Sequence, residues 1–159
     1  GFLSPRYGIQ GDRLNENNWR STNIFSINSN DINNITVNHI QQPENSFKLN
    51  AKSMTLFDHK GIKVELNKNK ALSFLQLFKS LNCESFRDNT EKITLKDPLH
   101  EIIVNFDTLR TYPIRSLTKN TQKDNFNVKR MYATLNNGEI MLLQEYVFNK
   151  VLININQLQ

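Results

Sequence analysis

Polar and apolar residues alternate with a period of two through much of this chain. In Asn34-Ile35-Thr36-Val37-Asn38, Ile35 and Val37 stand between polar neighbours, the pattern of a half-buried strand. Gln42-Pro43-Glu44-Asn45 reads as a turn, because proline fixes φ and asparagine tolerates tight geometry. Alternation resumes at Phe47 and Leu49, then at Met54 and Leu56, and crosses Asp58-His59-Lys60-Gly61 to Ile62, Val64 and Leu66. Gly61 would supply the positive φ that such a hairpin loop needs. The period then lengthens. Ala71, Phe74, Leu75 and Phe78 fall at i, i+3, i+4 and i+7, and Leu72 and Leu81 widen the stripe. They predict an amphipathic helix from about Lys68 to Asn82 that closes one face of a sheet.

A second block follows the same grammar. Ile93 and Leu95 form a short alternating run broken by Asp97-Pro98, and Glu101 to Phe106 is the strand richest in β-branched residues. Leu109, Tyr112 and Ile114 predict a further strand, with Pro113 arguing for an edge, where a missing N–H is tolerated. Lys119 to Asn127 is polar and reads as a loop. Met131, Ala133 and Leu135 lead through Asn136-Asn137-Gly138 into Ile140 and Leu142, a strong hairpin signal. From Tyr146 to Leu158, Val147, Val151, Leu152, Ile155 and Leu158 share one helical face, although Ile153 and the asparagines favour a strand.

The two blocks can be superposed. At a separation of 77 positions Met54 meets Met131, Gly61 meets Gly138, Leu66 meets Leu143, Leu75 meets Leu152 and Leu81 meets Leu158. Phe74 and Phe78 meet Val151 and Ile155, while Ile62 opposite Glu139 fails. The sequence therefore predicts an α+β fold of two similar strand-rich units, each made of antiparallel hairpins followed by an amphipathic helix. Pseudo-repeats at about 31–82 and 93–159 pack as a single domain over 22–159, because neither unit could bury its sheet face alone. Residues 1–21 lack sustained periodicity and read as an extended arm, pinned at intervals by Phe2, Leu3, Tyr7, Ile9 and Trp19.

Composition agrees with one folded domain. The 159 residues are 38% hydrophobic and include ten phenylalanines, enough for a core. Net charge is +5, from 20 basic and 15 acidic residues, with a pI near 9.4. The lysines from Lys48 to Lys70 alternate with acidic and apolar residues, which describes a solvated face better than a nucleic-acid patch. A lone cysteine, Cys83, excludes an intrachain disulfide. No run approaches the roughly 18–20 apolar residues of a membrane span. The chain opens at Gly1 without a methionine and reads as a processed or trimmed protein, so that any anchor or signal would have been upstream.

Several stretches carry a likeness beyond pattern. Gly1-Phe-Leu-Ser-Pro-Arg-Tyr-Gly8, Asn18-Trp-Arg-Ser-Thr-Asn-Ile-Phe25, Asp31-Ile-Asn-Asn-Ile35 and Pro43-Glu-Asn-Ser-Phe47 resemble uncharacterised Bacteroidota envelope proteins. So do Val128-Lys-Arg-Met-Tyr-Ala-Thr-Leu-Asn-Asn-Gly138 and Gln144-Glu-Tyr-Val-Phe-Asn-Lys-Val-Leu152. Those proteins are similar to a bacterial domain of unknown function found beside gliding-type ABC-transporter components. The resemblance implies a lipoprotein anchor or membrane helix, a periplasmic or exterior location, and no established catalytic residues or cofactor.

Candidate chemistry is sparse. A nucleophilic Cys83 would need a base such as His39, His59 or His100, yet no recognised spacing joins them. Zinc-ligand spacings are missing. Gly8-Ile9-Gln10-Gly11 lacks the strand, helix and Lys-Ser/Thr of a phosphate loop. Asp31 with Glu44, or Asp97 with Glu101, read as turn and strand-edge residues rather than an acid–base pair. Phe106, Tyr112, Phe126 and Tyr132 could stack on bases but fit a sheet core better. Asn34-Ile35-Thr36 is a sequon without meaning in a bacterial host. The expectation is a non-catalytic interaction domain needing no cofactor or metal, an accessory subunit of a membrane-associated assembly. Phe2, Tyr7, Trp19, Tyr112 and Pro113 are the expected partner-binding residues, through strand pairing at an exposed edge. The rival readings are a nucleic-acid-binding domain using Arg110, Arg115, Lys119, Lys123, Lys129 and Arg130, and a hydrolase built on Cys83.

Overall fold

The alternating segments assemble into one large antiparallel sheet. The structure is a computed structural model that describes residues 21–87, 93–114 and 129–159. Its strands are β1 (Asn23–Phe25), β2 (Asn34–His39), β3 (Phe47–Asn50), β4 (Thr55–Asp58), β5 (Lys63–Val64), β6 (Leu81–Asn82), β7 (Ser85–Phe86), β8 (His100–Val104), β9 (Asp107–Tyr112), β10 (Arg130–Leu135) and β11 (Met141–Gln144). Helix α1 spans Lys68–Gln76 and the single turn α2 spans Glu145–Phe148. Nine strands run in the order β5-β4-β3-β2-β8-β9-β10-β11-β7, while β1 and β6 form a separate two-stranded ribbon. At the centre β2 pairs with β8, from Ile35 opposite Val104 to His39 opposite His100. Meanders run outward from that pair in both directions.

Period two sorts the side chains onto two faces. Ile35 and Val37 of β2, Phe47 and Leu49 of β3, Leu56, Ile102, Val104, Leu109, Met131, Ala133 and Leu143 are all buried in one cluster. Ala71, Phe74 and Leu75 of α1 join it, as do Phe148, Val151, Leu152, Ile155 and Leu158 of the C-terminal segment. Edge-to-face aromatic contacts run through this layer: Phe74 meets Phe47 at 5.9 Å and Phe78 at 5.3 Å, and Phe78 meets Phe25 at 5.7 Å. The Asn67 side chain caps α1 by accepting from the Asn69 and Lys70 amides. The Asn67 amide in turn donates to the Leu158 carbonyl at 2.8 Å, tying helix to C-terminus.

Local chemistry ends several elements earlier than periodicity predicts. The helix expected to reach Asn82 stops at Gln76, tightens into a 3-10 turn at Leu77–Lys79, and gives Leu81 to the ribbon opposite Phe25. Ile27 N–H takes the Phe78 carbonyl at 3.0 Å, so the chain end is satisfied by β1's flank instead of another helical turn. In the C-terminal segment the helical face is buried as expected, but only Glu145–Phe148 is α-helical and Ile155–Leu158 is a 3-10 turn. Val147, Val151, Ile153 and Ile155 are β-branched, and Asn149, Asn154 and Asn156 compete for backbone hydrogen bonds. The Gln157 side chain accepts from the Asn154 amide at 3.2 Å and the Gln157 amide donates to the Asn154 carbonyl at 3.0 Å, so the final turn starts anew.

The turns show where left-handed backbone is needed. Gly61 sits at φ +83, and Asp58 closes that loop by accepting from the Lys60 and Ile62 amides at 2.9 Å each. Between β10 and β11 Asn136 and Asn137 take φ of 53° and 60°, while Gly138 N–H closes the turn on Leu135. The strand expected over Glu101–Phe106 ends at Val104, because Asn105 turns left-handed at φ 54° and forms a two-residue hairpin loop with Phe106. Ile93 and Leu95 are half-buried but form no strand; both sides of β8 are already taken by β2 and β9.

The expected edge at Tyr112-Pro113 is not an edge. Strand β9 lies between β8 and β10, and Tyr112 faces Tyr132 across the ladder. Pro113 follows the last paired residue, so its missing N–H costs the ladder nothing. The outermost strands of the nine are β5 and β7, two residues each.

Burial predicts the response to truncation along α1. Leu75, 3% exposed, should lose about 2–5 kcal/mol of unfolding free energy on substitution by alanine. Leu72, 51% exposed on the same helix, should change by no more than about 0.5 kcal/mol. Urea unfolding of Leu75→Ala and Leu72→Ala measures both, and equal effects would contradict this packing.

Candidate functional site

The face of the sheet turned away from the core carries the other half of each alternation. Across the strands lie Lys63, Phe57, Lys48, Thr36, Ile103 and Thr108 in one row. Asn38, Glu101, Arg110 and Thr134 make the next. Glu101 holds that second row together: one carboxylate oxygen accepts from Arg110 Nε at 2.8 Å and the other from Asn38 Nδ2 at 3.0 Å. Arg110 also donates to Asn137 Oδ1 at 3.0 Å.

Where β2, β3 and β4 leave this face, a groove of about 650 Å³ opens. Phe57, Ile40 and Pro43 give it apolar walls, and Thr36, Asn38, Lys48 and His59 give it polar ones. Lys48 and Lys63 stand directly opposite Phe57 on the two neighbouring strands. Asp58, also at the groove, is turned toward its own loop, and the Ile62 amide above all holds its carboxyl below the ordinary aspartate range. The groove therefore pairs an aromatic floor with outward-facing cations. Its size and mixed lining suit a side chain or short segment of a ligand.

Two histidines meet beneath the sheet's end. His39 and His100, opposite each other on β2 and β8, stack edge to face with ring centroids 5.1 Å apart. His39 Nε2 lies 2.7 Å from the Ile153 carbonyl, and His100 Nδ1 lies 3.2 Å from Thr111 Oγ1. Burial, and then the neighbouring His39, lower His100 to about 4. His39 thus docks the C-terminal segment on the sheet, with His100 packed edge to face against it.

The residues singled out from sequence are dispersed. Phe2, Tyr7, Trp19 and the Gly8–Gly11 loop lie outside the described residues, as do Arg115, Lys119, Lys123 and Phe126. Tyr112 and Pro113 are half-buried, Tyr112 in the interior strand β9 and Pro113 just past its end. Cys83 is 5% exposed between β6 and β7, at the far side of the sheet from the histidine pair, and His59 is exposed in the β4–β5 loop. Asp31 and Glu44 sit on turns at opposite ends of β2. Of the proposed basic patch, Arg110 is held by Glu101 and Arg130 by Glu84 at 2.8 Å. Burial raises the Glu84 carboxyl, but hydrogen bonds from Gln144 and Arg130 outweigh it and leave it below the usual range. No cluster of three or more metal-ligating side chains occurs among the described residues.

Sequence reasoning missed Phe57, Ile40 and Phe106 as surface features. Phe57 follows Leu56 in β4, so one of the two had to face away from the core, a signal that was there to be read.

The histidine pair makes a pH prediction. A depressed folded pKa means that the unfolded chain binds the proton more readily, so stability from His100 is present above about pH 6.5 and is lost as pH falls toward 4. Urea midpoints measured from pH 7.5 to 4.5 should fall less steeply for His100→Gln than for the parent. Parallel curves would refute the assignment.

A family model described as a domain of unknown function, DUF4340, matches residues 8–98, which include β1 to β7 and α1. Searches of curated proteins and of solved structures return no match. With the larger part of its length so matched, the chain belongs to the DUF4340 family.

Proposed function

We propose that this chain is a non-catalytic interaction domain that receives an apolar, acid-flanked segment of a protein partner in the groove over β2, β3 and β4. The observation that carries this reading is Phe57: an aromatic ring on the outer face, lining a groove and bracketed by Lys48 and Lys63. A buried anchor with a charged rim is the usual anatomy of a protein-binding site. The hydrogen-bonded sheet beneath it is rigid, so little ordering entropy opposes docking. Strand addition at Tyr112-Pro113 has no support in an interior strand, and the groove replaces it.

The setting we propose is the bacterial envelope, with the domain acting as an accessory subunit of a membrane-associated complex; the sequence likeness to envelope proteins supports it. Among the described residues no helix is long and apolar enough to cross a membrane.

We infer further that the fold is a duplication. Four-strand meanders β2–β5 and β8–β11 each lead into a helix, and the separation of 77 positions places β4 on β10 and α1 on α2. Antiparallel pairing of the two first strands, β2 with β8, is the contact that a two-fold-related pair of units makes.

Co-purification from native membranes tests the interaction. A reproducible set of proteins should be retained by the full-length parent and lost from an Ile40→Glu/Lys48→Glu double variant. Identical sets from both would rule the groove out.

A further inference from the structure

The layer that covers the core carries charge of one sign. Its two segments, from Asn67 to Asn82 and from Tyr146 to Gln159, contain Lys68, Lys70, Lys79 and Lys150 and no aspartate or glutamate. All four lysines are exposed, and none makes an ion pair with a described residue. Glu65 and Glu145 stand just before the two segments, and Asp31 lies on the turn whose Ser29 accepts from Gln76. The other side of the sheet is mixed: Arg110 is held by Glu101 and Arg130 by Glu84, while Lys48 and Lys63 flank Phe57. The fold itself does not call for the cations of the layer. Lys68 and Lys70 occupy the first turn of α1, where the helix dipole disfavours positive charge.

Apolar surface lies among these lysines. Leu72 is 51% exposed one turn after Lys68, and Tyr146 is 65% exposed four residues before Lys150. A groove of about 510 Å³ runs between α1 and the C-terminal segment, with Lys70 contributed by the first and Lys150 by the second. Phe74, Leu77, Ile153 and Leu158 supply its apolar lining, and none of the described residues around it is acidic. Lysine places compact point charges where arginine would place a directional fork, which matches a diffuse field of phosphates better than one fixed acidic partner. A nucleic acid would want a row of exposed rings, and this layer keeps Phe74 and Phe78 buried. Leucine and tyrosine beside lysine suit the boundary of a bilayer: apolar groups enter it while the ammonium groups stay with the headgroups. We propose that the helix layer docks on an anionic lipid surface through these four lysines, with the groove between Lys70 and Lys150 seating a headgroup. The outer face of the sheet, with Phe57, then turns away from the bilayer. The inference stands apart from the partner reading above and does not depend on it.

Flotation of the intact chain with lipid vesicles is the experiment. Vesicles of phosphatidylglycerol and phosphatidylcholine in equal parts should carry the chain at low salt and release it as salt rises. Vesicles of phosphatidylcholine alone should not carry it. A lysine near an anionic surface contributes about 5-fold in affinity, so Lys70→Gln/Lys150→Gln should weaken binding about 25-fold. The same charge change on the opposite side, Lys48→Gln/Lys63→Gln, should weaken it by less than about 5-fold. All four positions are exposed, so melting temperatures should not fall. Absent flotation at low salt, equal binding to the neutral vesicles, or equal loss from the two double variants would each overturn lipid docking. Should vesicles fail while polyglutamate is retained through the same two lysines, the layer belongs to an acidic protein partner and the lipid reading falls.

Discussion

Five residue pairs between β2 and β8 hold the domain together. These strands lie more than 60 residues apart in sequence, so their pairing closes a long loop and is entropically costly. What offsets it is burial: Ile35, Val37, Ile102 and Val104 are each fully buried at the seam. Without that ladder each meander would end in an unpaired inner strand and an apolar face with half its cover. The α1 layer and the C-terminal segment meet at Asn67 and Leu158, so the layer above the sheet is closed by the same association.

Element types were legible wherever one period ran cleanly. Ile35 and Val37, Phe47 and Leu49, and Met131 and Ala133 all point inward as their alternation requires. The α1 stripe Ala71, Phe74, Leu75, Phe78 is buried throughout, although its last member sits in a 3-10 turn. Boundaries were less legible because tertiary partners set them. Leu81 fits a helical stripe, but β1 offers it a ladder; the Val151 to Leu158 positions fit one too, but β branching and asparagine break the helix. Pro113 misled for a related reason. Proline excludes a residue from ladder pairing, yet here it stands one position past the ladder's end, where an interior strand tolerates it as well as an edge does.

The candidate site was mostly hidden from sequence. Apolar periodicity reports what is buried, whereas the groove is lined mostly by residues out of that phase, drawn from β2, β3, β4 and two turns. Phe57 was half visible, since two adjacent apolar residues in a strand cannot both face inward. Phe106 was concealed by its position after Glu101-Ile102-Ile103-Val104, which reads as one continuous strand until Asn105 turns left-handed. The basic residues were visible but misleading in number, because Arg110 and Arg130 answer to Glu101 and Glu84.

Strands of only two residues finish the wide sheet on both flanks. A nine-stranded array is otherwise a broad template of backbone donors and acceptors, the kind of surface that recruits stray chains into cross-β stacks. Dipeptide margins offer too few consecutive amides to seed such growth. Sideways accretion through main-chain hydrogen bonds is thereby discouraged, and the outer strands can vary in side chain without lengthening the backbone template they expose.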